Sequence, residues 1–215
     1  MTGMGEIAGI QLTEVMAVVM IPFAYLLGAL PSGYVIGRLA KGIDIREHGS
    51  GKTGMSNVLR LVGKKAAGGV LLIDCSKGAI VVFLAQALTE NPISLVAVGM
   101  AVLLGHNYSV FIRFHGGAGV LTGVGTLVAF VPIAAIVAAV VGASCILTFR
   151  YMSLGSLTGT LAALVTAVYL WAVYDHEVTA TIYIILGASL IFLRHKENIQ
   201  RLASGKEPKL ARFLG

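Results

Sequence analysis

Charge is what this chain has least of. Asp, Glu, Lys and Arg make up 12% of its 215 residues, about half the share usual in a soluble domain. Hydrophobic residues make up 57% and the mean hydropathy is +0.88. The scarcity excludes an ordinary soluble fold and points to an all-α integral membrane protein. Cysteine is nearly absent: Cys75 and Cys145 both sit in apolar stretches, so packing is their expected role. No zinc-type Cys/His spacing exists, and neither a metal nor a cofactor is expected. Residues 1–14 hold Glu6 and Glu14 but no Lys or Arg. The basic start of a cleavable signal peptide is therefore missing, and the first apolar run is read as a permanent span. Outside Asp74 and Lys77 the apolar stretches carry essentially no ionisable group, too few for a proton or ion pathway. Nothing points to nucleic acid.

The apolar stretches run 15–39, 68–88, 92–105, 119–131, 133–149, 154–174 and 178–193. Several approach the ~20 residues that cross a bilayer core, and two central ones are short. Basic residues cluster between the first two stretches (Arg38 to Lys65) and after the last (Arg194 to Arg212). The positive-inside rule puts both clusters in the cytoplasm, which requires an even number of crossings between them. Breaking 119–149 at Pro132 satisfies this, and of 16 basic residues only Lys77 is then not cytoplasmic. The expectation is one polytopic domain over 1–215 with seven transmembrane helices, the N-terminus outside and the C-terminus cytoplasmic. Segments 38–67, 105–118 and 194–215, which hold the glycine- and charge-rich motifs, then share the cytoplasmic side.

Residues 48–57 read HGSGKTGMSN. The end of this run resembles a nucleotide-binding P-loop, but the first glycine of that motif falls at position 46, which is Arg46, and a membrane-length segment precedes it. What remains is a loop whose backbone N–H groups can form an anion-binding nest. In RHKENIQRLASGKE (194–207), Arg194, Asn198 and Arg201 share a helix face. Together with His195 they suggest an anion site rather than a bare positive-inside anchor. Asp74 and Lys77 lie at i and i+3 within the second span. They are either functional or an internal pair that orients the helix against the first loop. His106 is expected as a structural hydrogen-bonder and His115 as a turn-shaper, while His48 and His176 have no supporting context.

The runs YLLGALPSGYVIGRLAKGIDIREHGSGKTGMSN, LLIDCSKG, GHNYSVFIRFHGGAGV and RHKENIQRLASGKEP resemble the PlsY family, bacterial acyl-phosphate:glycerol-3-phosphate acyltransferases of the inner membrane. The likeness covers nearly the whole chain. It implies acyl transfer from an acyl phosphate to the 1-hydroxyl of glycerol 3-phosphate, giving lysophosphatidic acid and phosphate. The family is known for seven helices; a monomer with no cofactor is the expectation here. By the resemblance, Gly49, Ser50, Gly51, Lys52, Gly54, Ser56 and Asn57 hold the acyl phosphate. Arg46, Arg201, Gly116, Gly117 and Glu207 hold glycerol 3-phosphate. His195 and Asn198 act on the hydroxyl, with Asp74, Lys77, His106 and Arg194 in support. A different acyltransferase class needs an H-x-x-x-x-D pair; the residues four and five beyond His106 are Val110 and Phe111, and beyond His195 Ile199 and Gln200. The chain departs from the family's usual pattern at Lys52 (Asn), Met55 (Ala), Ser56 (Thr), Ala118 (Lys) and Leu121 (Ala). We expect Lys52 to supply the positive charge missing at 118. The alternatives are a diverged paralogue with another acceptor or no turnover, and a small transporter or anion-binding membrane protein.

Overall fold

The computed structural model describes residues 6–7, 10–174 and 178–210; the expected outer turn at 175–177 lies outside them. Apart from a two-residue antiparallel pairing of β1 (Glu6–Ile7) with β2 (Ile10–Gln11), the described chain is helices and their connections. In order these are α1 (Leu12–Ala29), α2 (Ser32–Lys41), α3 (Met55–Leu61), α4 (Lys64–Leu88), α5 (Pro92–Asn107), α6 (Val120–Phe130), α7 (Pro132–Phe149), α8 (Met152–Tyr174), α9 (Val178–Arg194) and α10 (Lys196–Ala203). Each expected apolar stretch finds a helix. Among the described residues five helices, with α1 and α2 taken as one, are long and apolar enough to cross a membrane, or six if α9 and α10, bent by 60°, count as one; α6 is a shorter apolar helix.

Proline sets two of the breaks. Pro132 opens α7 at the first position, where its missing N–H costs nothing. Pro31 divides the expected 15–39 span into α1 and α2, because it cannot donate into the helical ladder. The carbonyl of Gly28 has its helical donor beyond that break. It accepts instead from Lys77 Nζ at 2.9 Å, and Leu30 O accepts from the same ammonium at 3.2 Å.

The main core joins α1 with α4 to α9 around Val81, Val98, Val102 and Tyr183, all but fully buried. Outward-facing Leu72, Ile93, Leu147 and Leu193 are 67–80% exposed, the surface expected of helices solvated by lipid. A smaller cluster of Ile45, Val58 and Val70 clamps the first loop and α3 onto α4. Along α7 and α8 the backbones nearly touch. A Cβ on Gly142 would come within 2.9 Å of Gly155 O, and one on Gly155 within 2.6 Å of Gly142 O. This is the small-residue seam of close-packed membrane helices. It holds the start of α8 beside the loops described next.

Candidate active site

The first loop is built around Asn57. Its buried amide donates to Ile45 O, Lys52 O and His48 O at 2.9, 3.0 and 3.1 Å, and its Oδ1 accepts from Ser50 N–H at 3.1 Å. Asn57 therefore shapes the loop, and its polar atoms are already engaged. Gly49, at φ +63°, lies so close that a Cβ there would stand 2.2 Å from Asn57 Oδ1. Gly51 N–H is also engaged, donating to His48 O at 3.1 Å. The donors that stay open lie one step on. Gly54 caps α3 without a side-chain hydrogen bond, and the first-turn N–H groups of a helix have no intrahelical acceptor. The open N–H groups of this loop thus lie at Gly54, Met55 and Ser56, while those of Ser50 and Gly51 are engaged within the loop.

Three distant segments meet here. Lys52 Nζ donates to Arg194 O and, at 3.3 Å, to Asn198 Oδ1. Arg194 donates through Nε and Nη2 to Gly117 O at 3.2 and 3.0 Å and stacks over Tyr108 at 5.0 Å. Glu207 accepts from Ser153 Oγ at 2.6 Å, Asn198 Nδ2 at 2.8 Å and Arg201 Nε at 2.8 Å. It therefore fastens the tail and α10 to α8, and fixes which way the Asn198 amide faces. Burial alone would raise the Glu207 pKa, but these three donors outweigh it and hold the carboxyl below its ordinary range. Burial lowers the pKa of Lys52, with Arg194 adding to the effect, and burial also lowers that of Arg60.

His195 is 5% exposed, and its Nδ1 lies 2.8 Å from Ile191 O. A carbonyl only accepts, so Nδ1 carries the proton and Nε2 keeps a lone pair. Burial pushes the ring's pKa down; the bond to Ile191 opposes this and the charge of Lys52 reinforces it. The ring is therefore a neutral base near neutrality. Because the folded pKa is depressed, stability is lost as pH falls through the unfolded value and only the unfolded chain takes the proton. An NMR titration of labelled His195 should give a midpoint below the ordinary 6.5. A midpoint at or above that would contradict the buried neutral ring.

Ser50, Lys52, Gly54, Ser56, Asn57, Arg60, Ala118, Met152, Ser153, Ser156, His195, Asn198 and Glu207 line one polar pocket. Through Ser56, Ala118, Met152, Ser156 and His195 it joins an apolar cavity of about 430 Å³. The cavity runs between α4 (Leu71, Cys75), α6 (Leu121, Val124), α7 (Ala138 to Ile146) and α8 (Gly155, Gly159). Leu71, Ala139 and Ala143 line it and are exposed. Arg60, Ser153 and Ser156 were not anticipated from sequence. Arg60 is one helical turn after Asn57, a spacing that points to it; nothing local marks the serines. Arg60 Nε is buried and has no hydrogen-bond partner among the described residues.

Other expected site residues lie elsewhere. The Arg46 side chain turns away, forming two bonds to Asp44 (Nη2 to Oδ2 at 2.6 Å, Nε to Oδ1 at 3.0 Å) and one to Ile112 O. Its bonds to Asp44, opposed by burial, hold that carboxyl at a pKa of about 2. Arg46 lines a separate surface pocket with Tyr34, Glu47, Arg113 and His115. Gly116 and Gly117 are buried against His106, whose carbonyl accepts from Gly117 N–H at 3.0 Å. They shape the second loop, and among its members Ala118 is the one in the polar pocket. Asp74 and Lys77 do pair, Nζ to Oδ1 at 2.9 Å, and Ser32 Oγ donates to the same oxygen at 2.7 Å. Among the described residues no cluster of three or more His, Cys, Asp or Glu could hold a metal ion.

A family model described as glycerol-3-phosphate acyltransferase matches residues 18–205. A protein of Thermoanaerobacter sp. named glycerol-3-phosphate acyltransferase is 40% identical over 87% of this chain and 92% of its own. One of the same name from Halalkalibacterium halodurans is 44% identical over 88% and 93%. Among solved structures, the glycerol 3-phosphate form of PlsY (YgiH), an integral membrane glycerol 3-phosphate acyltransferase, superposes with a TM-score of 0.84 at 38% identity, covering 90% of this chain and 95% of that one. The lysophosphatidic acid form gives 0.81 at 37% identity. With a family model spanning most of its length, and with its three polar segments gathered over an apolar cavity, this chain belongs to the glycerol-3-phosphate acyltransferase family of membrane enzymes.

Proposed function

We propose that the chain moves the acyl group of an acyl phosphate to the 1-hydroxyl of glycerol 3-phosphate, releasing lysophosphatidic acid and phosphate. One observation carries this reading: a cationic polar pocket opens, at His195 and Ser56, directly into an apolar cavity among the helices. A lipid with a phosphorylated head needs both halves. An acyl phosphate already has a good leaving group, so the protein must hold two phosphates side by side and orient a hydroxyl. Lys52, Arg60 and the open N–H groups at the start of α3 take phosphate charge. His195 Nε2 accepts the hydroxyl proton as that oxygen bonds to the acyl carbon. The bond from acyl carbon to phosphate oxygen then breaks, and phosphate leaves with the electron pair and receives the proton. Asn57 and Glu207 act as positioning residues. The cavity follows α7 from Ile146 to Ala138, ~12 Å at 1.5 Å per residue, enough to enclose about nine carbons of a chain built from ~1.5 Å bonds. The rest of a longer chain lies among lipids.

This reading takes α1 with α2, and α4 to α9, as seven crossings in the inner membrane, with the site on the cytoplasmic side of a monomer. Release of phosphate from palmitoyl phosphate by the purified protein should need glycerol 3-phosphate. Binding of either substrate without release would favour a paralogue with no turnover; neither would favour transport. Lys52 and Ala118 line the same pocket. Lys52→Ala should lower kcat/KM ~10–100-fold, the size of a lost charged hydrogen bond. Adding Ala118→Lys should restore most of it. No rescue would count against a cation moved from one loop to the other.

A further inference from the structure

Resting on that reading, we propose that His106 is a further catalytic residue: its Nε2–H donates to the acyl carbonyl oxygen of the donor as negative charge develops there. Lys77 sets the tautomer. Its ammonium lies 2.9 Å from His106 Nδ1, while its other contacts are Gly28 O, Leu30 O and Asp74 Oδ1, all acceptors. An ammonium has donors only, so Nδ1 must accept and the ring proton sits on Nε2. Asp74, held by Ser32, also lies 3.6 Å from Nδ1 and stays paired with Lys77. The result is a neutral imidazole whose one N–H points away from the charge pair.

The ring borders the site. His106 lines the apolar cavity together with Ser56, Ala118 and His195, the residues where cavity and polar pocket join. Among the described residues no hydrogen bond to Nε2 is formed. Gly117 makes room for the ring: a Cβ there would stand 2.1 Å from Nε2. The buried Asp74–Lys77 pair thereby gains a purpose beyond its own neutrality, which is to hold one donor at the acyl end of the site. Through the reaction His106 keeps its proton. The hydroxyl oxygen adds to the acyl carbon, the carbonyl oxygen takes the negative charge against Nε2–H, and the charge returns as phosphate leaves.

The test compares the unaltered protein with His106→Ala and His106→Gln in the phosphate-release assay. His106→Ala should lower kcat ~10²–10³-fold, the usual loss for one oxyanion donor. The KM for glycerol 3-phosphate should change by less than about threefold, since uniform binding is untouched. His106→Gln, which returns an N–H near the place of Nε2, should recover at least about tenfold of that loss. Nitrogen NMR of labelled histidine in the unaltered protein should show Nδ1 bare and Nε2 protonated. Unchanged kcat in His106→Ala, an equal fall for Ala and Gln, or a proton on Nδ1 would each overturn the proposal. Absence of turnover in the unaltered protein would instead overturn the acyltransferase reading and His106's role with it.

Discussion

Asn57→Asp is expected to lower kcat/KM by at least ~100-fold and to reduce the thermal unfolding midpoint in detergent, although it exchanges one amide for a carboxyl of the same shape. The amide nitrogen donates to the carbonyls of Ile45, His48 and Lys52. A carboxylate would set a negative oxygen against all three. Burying an unpaired charge is among the largest single-residue penalties, and the side chain is 1% exposed. Asn57→Ala loses the same bonds without adding repulsion, so it should be damaging but less so. The loop carries Lys52 and leads into α3, so its distortion moves the cation and the open N–H groups together. A ranking with alanine worse than aspartate, or two variants near normal, would show that the loop holds its shape by other means.

Lys77→Met is the second large effect, acting on folding. The Lys77 side chain is 4% exposed and neutralises Asp74, whose side chain is 1% exposed. Removing one member of such a pair strands the other, typically at ~3–5 kcal/mol. The carbonyl of Gly28, left by the Pro31 break, loses its donor as well. Asp74→Asn with Lys77→Met should recover most of the lost stability, because no buried charge remains. The same double variant should stay slow, since nothing then obliges the His106 proton to sit on Nε2. Unfolding midpoints with kcat for the four proteins of this cycle separate the two effects. A stable single variant with full activity would contradict both.

Much of this was legible in the sequence because membrane proteins write their layout in coarse letters. Long apolar stretches marked every helix of the bundle, and charge placement argued for the break at Pro132. The gathering of 49–57, 116–119 and 194–207 followed from putting their charges on one side. Less legible was which atoms in a motif stay free. Asn57 reads as a ligand in HGSGKTGMSN, yet its amide is closed by three carbonyls that only the folded loop brings together. Arg46 is two residues from Asp44, a spacing compatible with pairing, but the face of Tyr34 at 4.9 Å that completes its setting comes from α2. Ser153 reaches Glu207 across 54 residues, and no local pattern encodes that meeting. Motif spacing identifies which segments meet; hydrogen-bond accounting decides which side chains are left to act.

The exposed flank of the cavity, along Leu71, Ala139 and Ala143, has a kinetic consequence. A site open to the surrounding amphiphile does not sense how much donor is dissolved in the buffer, only its mole fraction in the surrounding film. Diluting the donor with inert detergent at fixed total amount should therefore raise its apparent KM in proportion. Detergents whose tails match the pocket's length should behave as competitive inhibitors.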